Sequence, residues 1–100
     1  MYKVKLIVWV KSGSAFVRGY FRELNLPFIP SLGMQFKKGT STWLWETQNG
    51  EIAPKVEAVV YDIDEDLFAC LFIVDQELKS SFWTDIDIQS MEAQYFLQRN

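Results

Sequence analysis

Leu67–Val74 reads LFACLFIV, an unbroken apolar run with no polar side chain in it. A helix this short cannot cross a bilayer, which takes about 20 apolar residues. A surface helix or a half-exposed strand would show polar positions at its own period. The run therefore reads as a strand covered on both faces. Val56–Ile63 leaves little polar surface on either side, with Val56, Ala58 and Val60 to one and Val59, Tyr61 and Ile63 to the other. Asp64-Glu65-Asp66 joins the two stretches, and Asp accepts the backbone conformations of a tight turn. The expectation is a hairpin of 55–63 with 67–74, in a sheet whose two faces both need shielding.

The N-terminus alternates. Tyr2, Val4, Leu6, Val8 and Val10 form one apolar face, and Lys3, Lys5, Ile7, Trp9 and Lys11 the other, a period-2 strand rich in β-branched residues. Ser12-Gly13-Ser14 then turns the chain into a second strand, giving a hairpin of 2–11 with 15–24. On that second strand the face carrying Arg18, Tyr20 and Arg22 reads as the outer one. Gly19 marks a bulge or the close approach of another backbone. Pro27 and Pro30 remove two backbone donors, so Leu26–Pro30 is an ordered apolar connection and not a central strand. A further hairpin is expected from 33–36 and 40–46, around Lys37-Lys38-Gly39.

At the C-terminus Thr84 and Asp87 have capping-box spacing, and Ile88, Met91 and Tyr95 recur at helical steps, predicting a helix over about 86–98. Asp85 and Asp87 at its start and Arg99 at its end suit the macrodipole. The fold class read from this pattern is α+β: an antiparallel sheet of about five or six strands with the C-terminal helix packed on one face. No internal repeat or linker divides the chain, so residues 1–100 form a single domain. One helix shields one face. The Pro27–Pro30 segment covers part of the other, and a second copy would cover the rest, which predicts a homodimer.

Charge divides the chain at its midpoint. Residues 1–50 carry a net +5 and residues 51–100 a net −8, for −3 in all. Such asymmetry bears on association, since like charges gathered on one side create a steering field. The two halves either meet across an interface or neutralise each other within one molecule. The acidic balance, with a pI of about 4.8, disfavours a nucleic-acid binder. Cys70, the single cysteine, lies within the apolar run, which excludes an intramolecular disulfide and suits a reducing compartment. The apolar stretch at the N-terminus, Leu6–Val10, is too short for a signal-peptide core or a membrane span. A cytoplasmic protein is expected.

The chain has no histidine, which removes the commonest general base near neutral pH and the commonest zinc ligand. Cys70 is flanked by Ala69 and Leu71 and lacks the cationic neighbours of a reactive thiolate. Asp62-Ile63-Asp64-Glu65-Asp66 has the alternating acids that open a calcium loop, but Leu67 stands where that loop needs glycine and Ile73 where it needs a bidentate glutamate. No metal site is expected there. Glu46, Glu51 and Glu57 are the glutamates near aromatic residues in mid-chain, and their spacing alone does not pair any two as a glycosidase dyad. No phosphate-cradling glycine loop is present and no cofactor is implied.

What remains is contact. Trp43 and Trp45, two apart, would share a face if the segment were a strand, and with Trp9 they form the aromatic binding candidates. Core packing competes for at least one of the pair. Lys3, Lys5 and Lys11 share a face with Trp9, and Arg18 and Arg22 run along the neighbouring strand, a basic and aromatic combination also used for single strands of nucleic acid. The same lysines could equally protect an edge strand from aggregation. The functional expectation is a non-catalytic protein-interaction module, self-associating or neutralising a partner such as a toxin, with Trp43, Trp45, Trp9, Lys3, Lys5, Arg18 and Arg22 as contacts. The alternatives are a small-ligand or hydrolytic site using carboxylates with Tyr20 or Tyr61, and single-stranded nucleic-acid binding by the basic hairpin.

Overall fold

The structure, a computed structural model, describes residues 1–37 and 43–88, with the side chain of Trp43 outside the description. Strand β1 (Tyr2–Ser12) turns at Gly13, whose φ of 64° suits glycine, into β2 (Ala15–Leu26). A 3₁₀ turn at Trp43–Trp45 leads to a small ribbon of β3 (Glu46–Thr47) and β4 (Gly50–Glu51). Next come β5 (Ala58–Asp62), β6 (Leu67–Val74) and β7 (Thr84–Ile86). Five strands form the main sheet in the order β5-β6-β1-β2-β7.

This sheet corrects the expected fold class. It is mixed and not antiparallel, because β6 runs parallel to β1, from Val4 opposite Phe68 to Val10 opposite Val74. The two most apolar strands lie side by side at its centre, as strands buried on both faces do. Nor is it an α+β sheet carrying a helix: among the described residues there is no α-helix. Of the helix expected over 86–98, Ile86 ends β7 in a pairing with Gly19, Ile88 is in a turn, and 89–98 lie outside the described residues. The ladder between β2 and β7 uses the backbone groups that a helix start would have needed. Of the expected hairpin of 33–36 with 40–46, residues 33–36 form no strand, 38–42 lie outside the described residues, and Trp43–Trp45 are 3₁₀.

Register assigns the faces. On one, Val4, Leu6, Val8 and Val10 pack with Tyr20, Cys70, Phe72 and Val74. Leu44, Trp45, Val56, Leu78 and Trp83 cover them from outside the sheet. These covering segments are held by backbone bonds, Val56 N–H to Met34 O at 2.9 Å and Lys79 N–H to Glu46 O at 2.8 Å. Indole donors add to them, Trp45 Nε1 to Phe36 O and Trp83 Nε1 to Leu44 O, each at 2.8 Å. On the other face Ile7 and Trp9 are 0% exposed, and Leu67, Ala69 and Leu71 are buried with them. Both faces are thus shielded within one chain. A second copy is not needed to cover either.

The β1–β2 register shifts between Val10 and Lys11. Val10 faces Arg18 and Lys11 faces Phe16, leaving Val17 without an opposite residue, as in a bulge. Beside it, Gly19 lies under the indole of Trp9. The close approach is made by a side chain and not by another backbone.

Candidate functional site

The expected contact residues do not converge. Trp9 is 0% and Trp45 5% exposed, both in the core. Trp45 packs on Phe72 and on Trp83, each at 5.1 Å between ring centroids. Residues 43–45 form a 3₁₀ turn and not the expected strand, and the side chain of Trp43 lies outside the described residues. Lys3 and Lys5 lie on the Ile7/Trp9 face of the sheet, across from Asn25 and Glu23. Arg18 and Arg22 lie across from Val10 and Leu6, on the opposite face. The continuous basic patch is therefore divided between two surfaces.

The arginines are used internally. Arg18 donates to Glu77 at 2.6 Å and to Asp85 at 3.1 Å, and its guanidinium stacks over Tyr20. The two carboxylates raise its pKa further above the ordinary range. Arg22 stacks 4.8 Å over Phe82 and donates to the Phe82 carbonyl. At this locus the basic half of the chain meets the acidic half within one molecule. Burial raises the Tyr20 phenol, partly offset by the charge of Arg18. Burial also pushes the Cys70 thiol up to about 12, the opposite of an activated nucleophile.

Two open grooves lie at the carboxyl ends of β1 and β6, the end at which open α/β sheets place ligands. One of about 420 Å³ is lined by Lys11, Arg18, Asn49, Asp75, Glu77 and Lys79 among others. The other, of about 520 Å³, shares Lys11 and Asp75 and is walled by Ile52, Pro54 and Ile73 among others. In the first groove Glu77 is engaged by Arg18. Of the three mid-chain glutamates, Glu46 and Glu51 are brought directly opposite each other across the β3–β4 ribbon, and neither lines these grooves. Among the described residues no group of three or more His, Cys, Asp or Glu side chains is arranged to hold a metal ion. Within the acidic turn Asp62 Oδ1 accepts from Glu65 N–H at 3.0 Å, and Asp66 Oδ1 accepts from the Tyr61 hydroxyl at 2.6 Å. The Asp66 bond raises the Tyr61 phenol.

The opposite end of the sheet carries the surface that sequence reasoning missed. Tyr61 is opposite Phe68, Phe68 is beside the start of β1, and Tyr2 is opposite Leu26, so one row crosses four strands. Its rings touch, Tyr61 to Phe68 at 5.0 Å and Phe68 to Tyr2 at 6.0 Å between centroids. Tyr2 and Tyr61 remain 42% and 47% exposed, and Ile63 beyond them 81%. Phe28 and Ile29, following Leu26, are exposed as well. A signal was available in Ile63, which stands between Asp62 and Asp64 in a solvated turn where no core can receive it.

This ledge borders β5, which among the described residues pairs only with β6 and leaves its other margin open. Edge strands are usually blunted by lysine or proline, and Ala58–Asp62, AVVYD, has neither. Among the described residues no helix is long and apolar enough to cross a membrane. No family model, curated protein or solved structure is significantly similar to this chain.

Proposed function

We propose that this chain is a non-catalytic protein-interaction module whose contact surface is the aromatic ledge of Tyr61, Phe68, Tyr2 and Leu26 together with the open margin of β5. The observation that carries the reading is the row in which the half-exposed rings of Tyr2 and Tyr61 flank the partly buried ring of Phe68, held in place by strand register. Aromatic side chains on a rigid scaffold give large contact area at small entropic cost, and they are enriched where partners meet. A strand margin with unpaired N–H and C=O groups supplies direction and register to an extended segment of a partner. A cytoplasmic setting fits this reading, since Cys70 is a lone buried thiol.

The test is site-specific photocrosslinking in host-cell extract, with benzoylphenylalanine placed at Ile63 or at Val17. Val17 is also exposed but lies near the hairpin turn at the other end of the sheet. A discrete heteromeric adduct from position 63 and none from position 17 is expected. Equal capture at both positions, capture at 17 alone, or no adduct at either position would count against the surface.

A further inference from the structure

We infer that Asn49 is a self-modifying site, at which the backbone nitrogen of Gly50 displaces the side-chain amide and leaves an acidic residue in place of the asparagine. Asparagine is among the thermolabile side chains. Of Asn25, Asn49 and Asn100, only Asn49 precedes a glycine. A glycine leaves its own nitrogen unhindered as a nucleophile, and its freedom of rotation lets that nitrogen turn toward the carboxamide. A Cβ built on Gly50 would meet nothing within 4 Å, so no neighbouring group crowds the approach.

The fold sets this pair where the backbone opens readily. Gln48 and Asn49, both exposed, form the turn between β3 and β4, which are strands of two residues each. So short a ribbon opens without the rest of the sheet. While it is closed, Asn49 N–H donates to Thr47 Oγ1 at 3.2 Å and Asn49 Nδ2 donates to Gln76 Oε1 at 3.1 Å. These bonds hold the carboxamide away from the Gly50 nitrogen, and the reaction waits on opening.

The chemistry needs only water. A bond forms between the Gly50 nitrogen and Cγ of Asn49, the Cγ–Nδ2 bond breaks, and Nδ2 leaves as ammonia with the proton of the Gly50 amide, giving a cyclic imide. Water then opens the ring at one or other carbonyl, yielding aspartate or isoaspartate. Each carries a new carboxylate, and isoaspartate adds a carbon to the backbone of the turn.

Neither product keeps the present pairing. Gln76 Oε1 already lies 2.9 Å from the Thr47 hydroxyl, and a carboxylate in place of the Nδ2 donor sets acceptor against acceptor until Gln76 turns its amide over. The new charge joins a ribbon in which Glu46 faces Glu51, on the wall of the groove that Asn49 shares with Lys11 and Lys79. The site is a one-way change of charge at that groove.

The test is ageing of the full chain in mildly alkaline buffer, then proteolysis and mass spectrometry with electron-transfer fragmentation, which separates aspartate from isoaspartate. Residue 49 should gain the mass of an amide-to-acid exchange as a mixture of both products, while Asn25, followed by Leu26, keeps its amide. In nitrogen-15 spectra the side-chain amide signals of Asn49 should vanish as those of Gln76 shift. Gln76→Ala, with unchanged circular dichroism, removes the acceptor that holds the carboxamide and should convert faster. Asn49 outlasting or matching Asn25 would overturn the inference, as would aspartate without isoaspartate, which means direct hydrolysis without attack by Gly50. Conversion of Gln76→Ala at the native rate would overturn the control of the reaction by the ribbon.

Discussion

A Cβ placed on Gly19 would lie 2.4 Å from Cζ3 and 2.7 Å from Cε3 of Trp9, its cross-strand partner. The glycine is therefore the seat of the indole, and β2 can pass under a fully buried tryptophan only where it has no side chain. Gly19→Ala should destabilise the protein by about 1–3 kcal/mol through overpacking. Urea unfolding of the alanine variant measures this. In a Trp9→Leu background the same change should cost much less, because the clashing ring atoms are gone; an equal cost in both backgrounds would disconnect the two residues.

Trp45 and Trp83 join the covering segments to the sheet. Truncating either to alanine should cost about 3–5 kcal/mol, the range for a large buried ring. Trp83→Phe retains most of the ring and deletes the indole bond to the Leu44 carbonyl, so it should cost less, about 1–3 kcal/mol for the acceptor left unpaired. Chemical denaturation of the three variants gives the ranking, and a Trp45→Ala protein of native stability would remove it from the core.

Cys70 should resist thiol reagents until the protein unfolds, so labelling should follow the unfolding transition. Its pKa is raised from 9.0 to about 12 by burial. The unfolded chain therefore loses this proton first as pH rises, and the stability contributed by the neutral buried thiol is complete below pH 9 and declines from there toward pH 12. The melting temperature of the native sequence should fall more steeply above pH 9 than that of Cys70→Ala. Parallel curves would show that the thiol contributes nothing to the alkaline limb.

Arg18 bridges Glu77 and Asp85 from an exposed position, so its ion pairs are screened and contribute little. Arg18→Ala should lower stability by no more than about 1 kcal/mol, with the difference shrinking at high salt. Its local effect should be larger than its global one. Amide exchange at Thr84–Ile86, the short strand tied to β2 beside the bridge, should quicken, and unchanged exchange there would show that the ladder alone holds β7.

Glu46 and Glu51 oppose each other on the β3–β4 ribbon. Glu51→Lys should replace like charges by opposite ones and stabilise by about 0.2–1 kcal/mol. Thermal melts at low and high salt check it, with the gain confined to low salt.

Alternation from Tyr2 to Lys11 marks β1, and the unbroken run of Leu67–Val74 marks a strand with no wet face; both are written locally, because a strand's side-chain period follows from its own backbone. Gly19 marked a bulge or the approach of another backbone, whereas the group that approaches it is the Trp9 indole. Strand direction was not legible, since whether β6 meets β1 parallel or antiparallel depends on which edges come together after the long excursion from Leu26 to Leu67. Thr84 and Asp87 have the spacing of a helix cap, yet β2 offered residues 84–86 a ladder, and the longer-range bonds prevailed over local preference. Trp43 and Trp45 look like one face of a strand only until the turn between them is known.

The candidate surface divides along the same line. The order of residues alone placed five acids around Ala58–Tyr61, whereas Ile63, read there as part of the covered strand, is exposed in the turn. Only the tertiary structure brought Tyr61, Phe68, Tyr2 and Leu26 into one row, placed β5 at the edge of the sheet among the described residues, and closed Arg18 onto Glu77 and Asp85. Side-chain period and charge are properties of neighbours along the chain, whereas a surface is made of residues far apart in sequence, whose adjacency is set by strand register and by which faces the rest of the molecule has already buried.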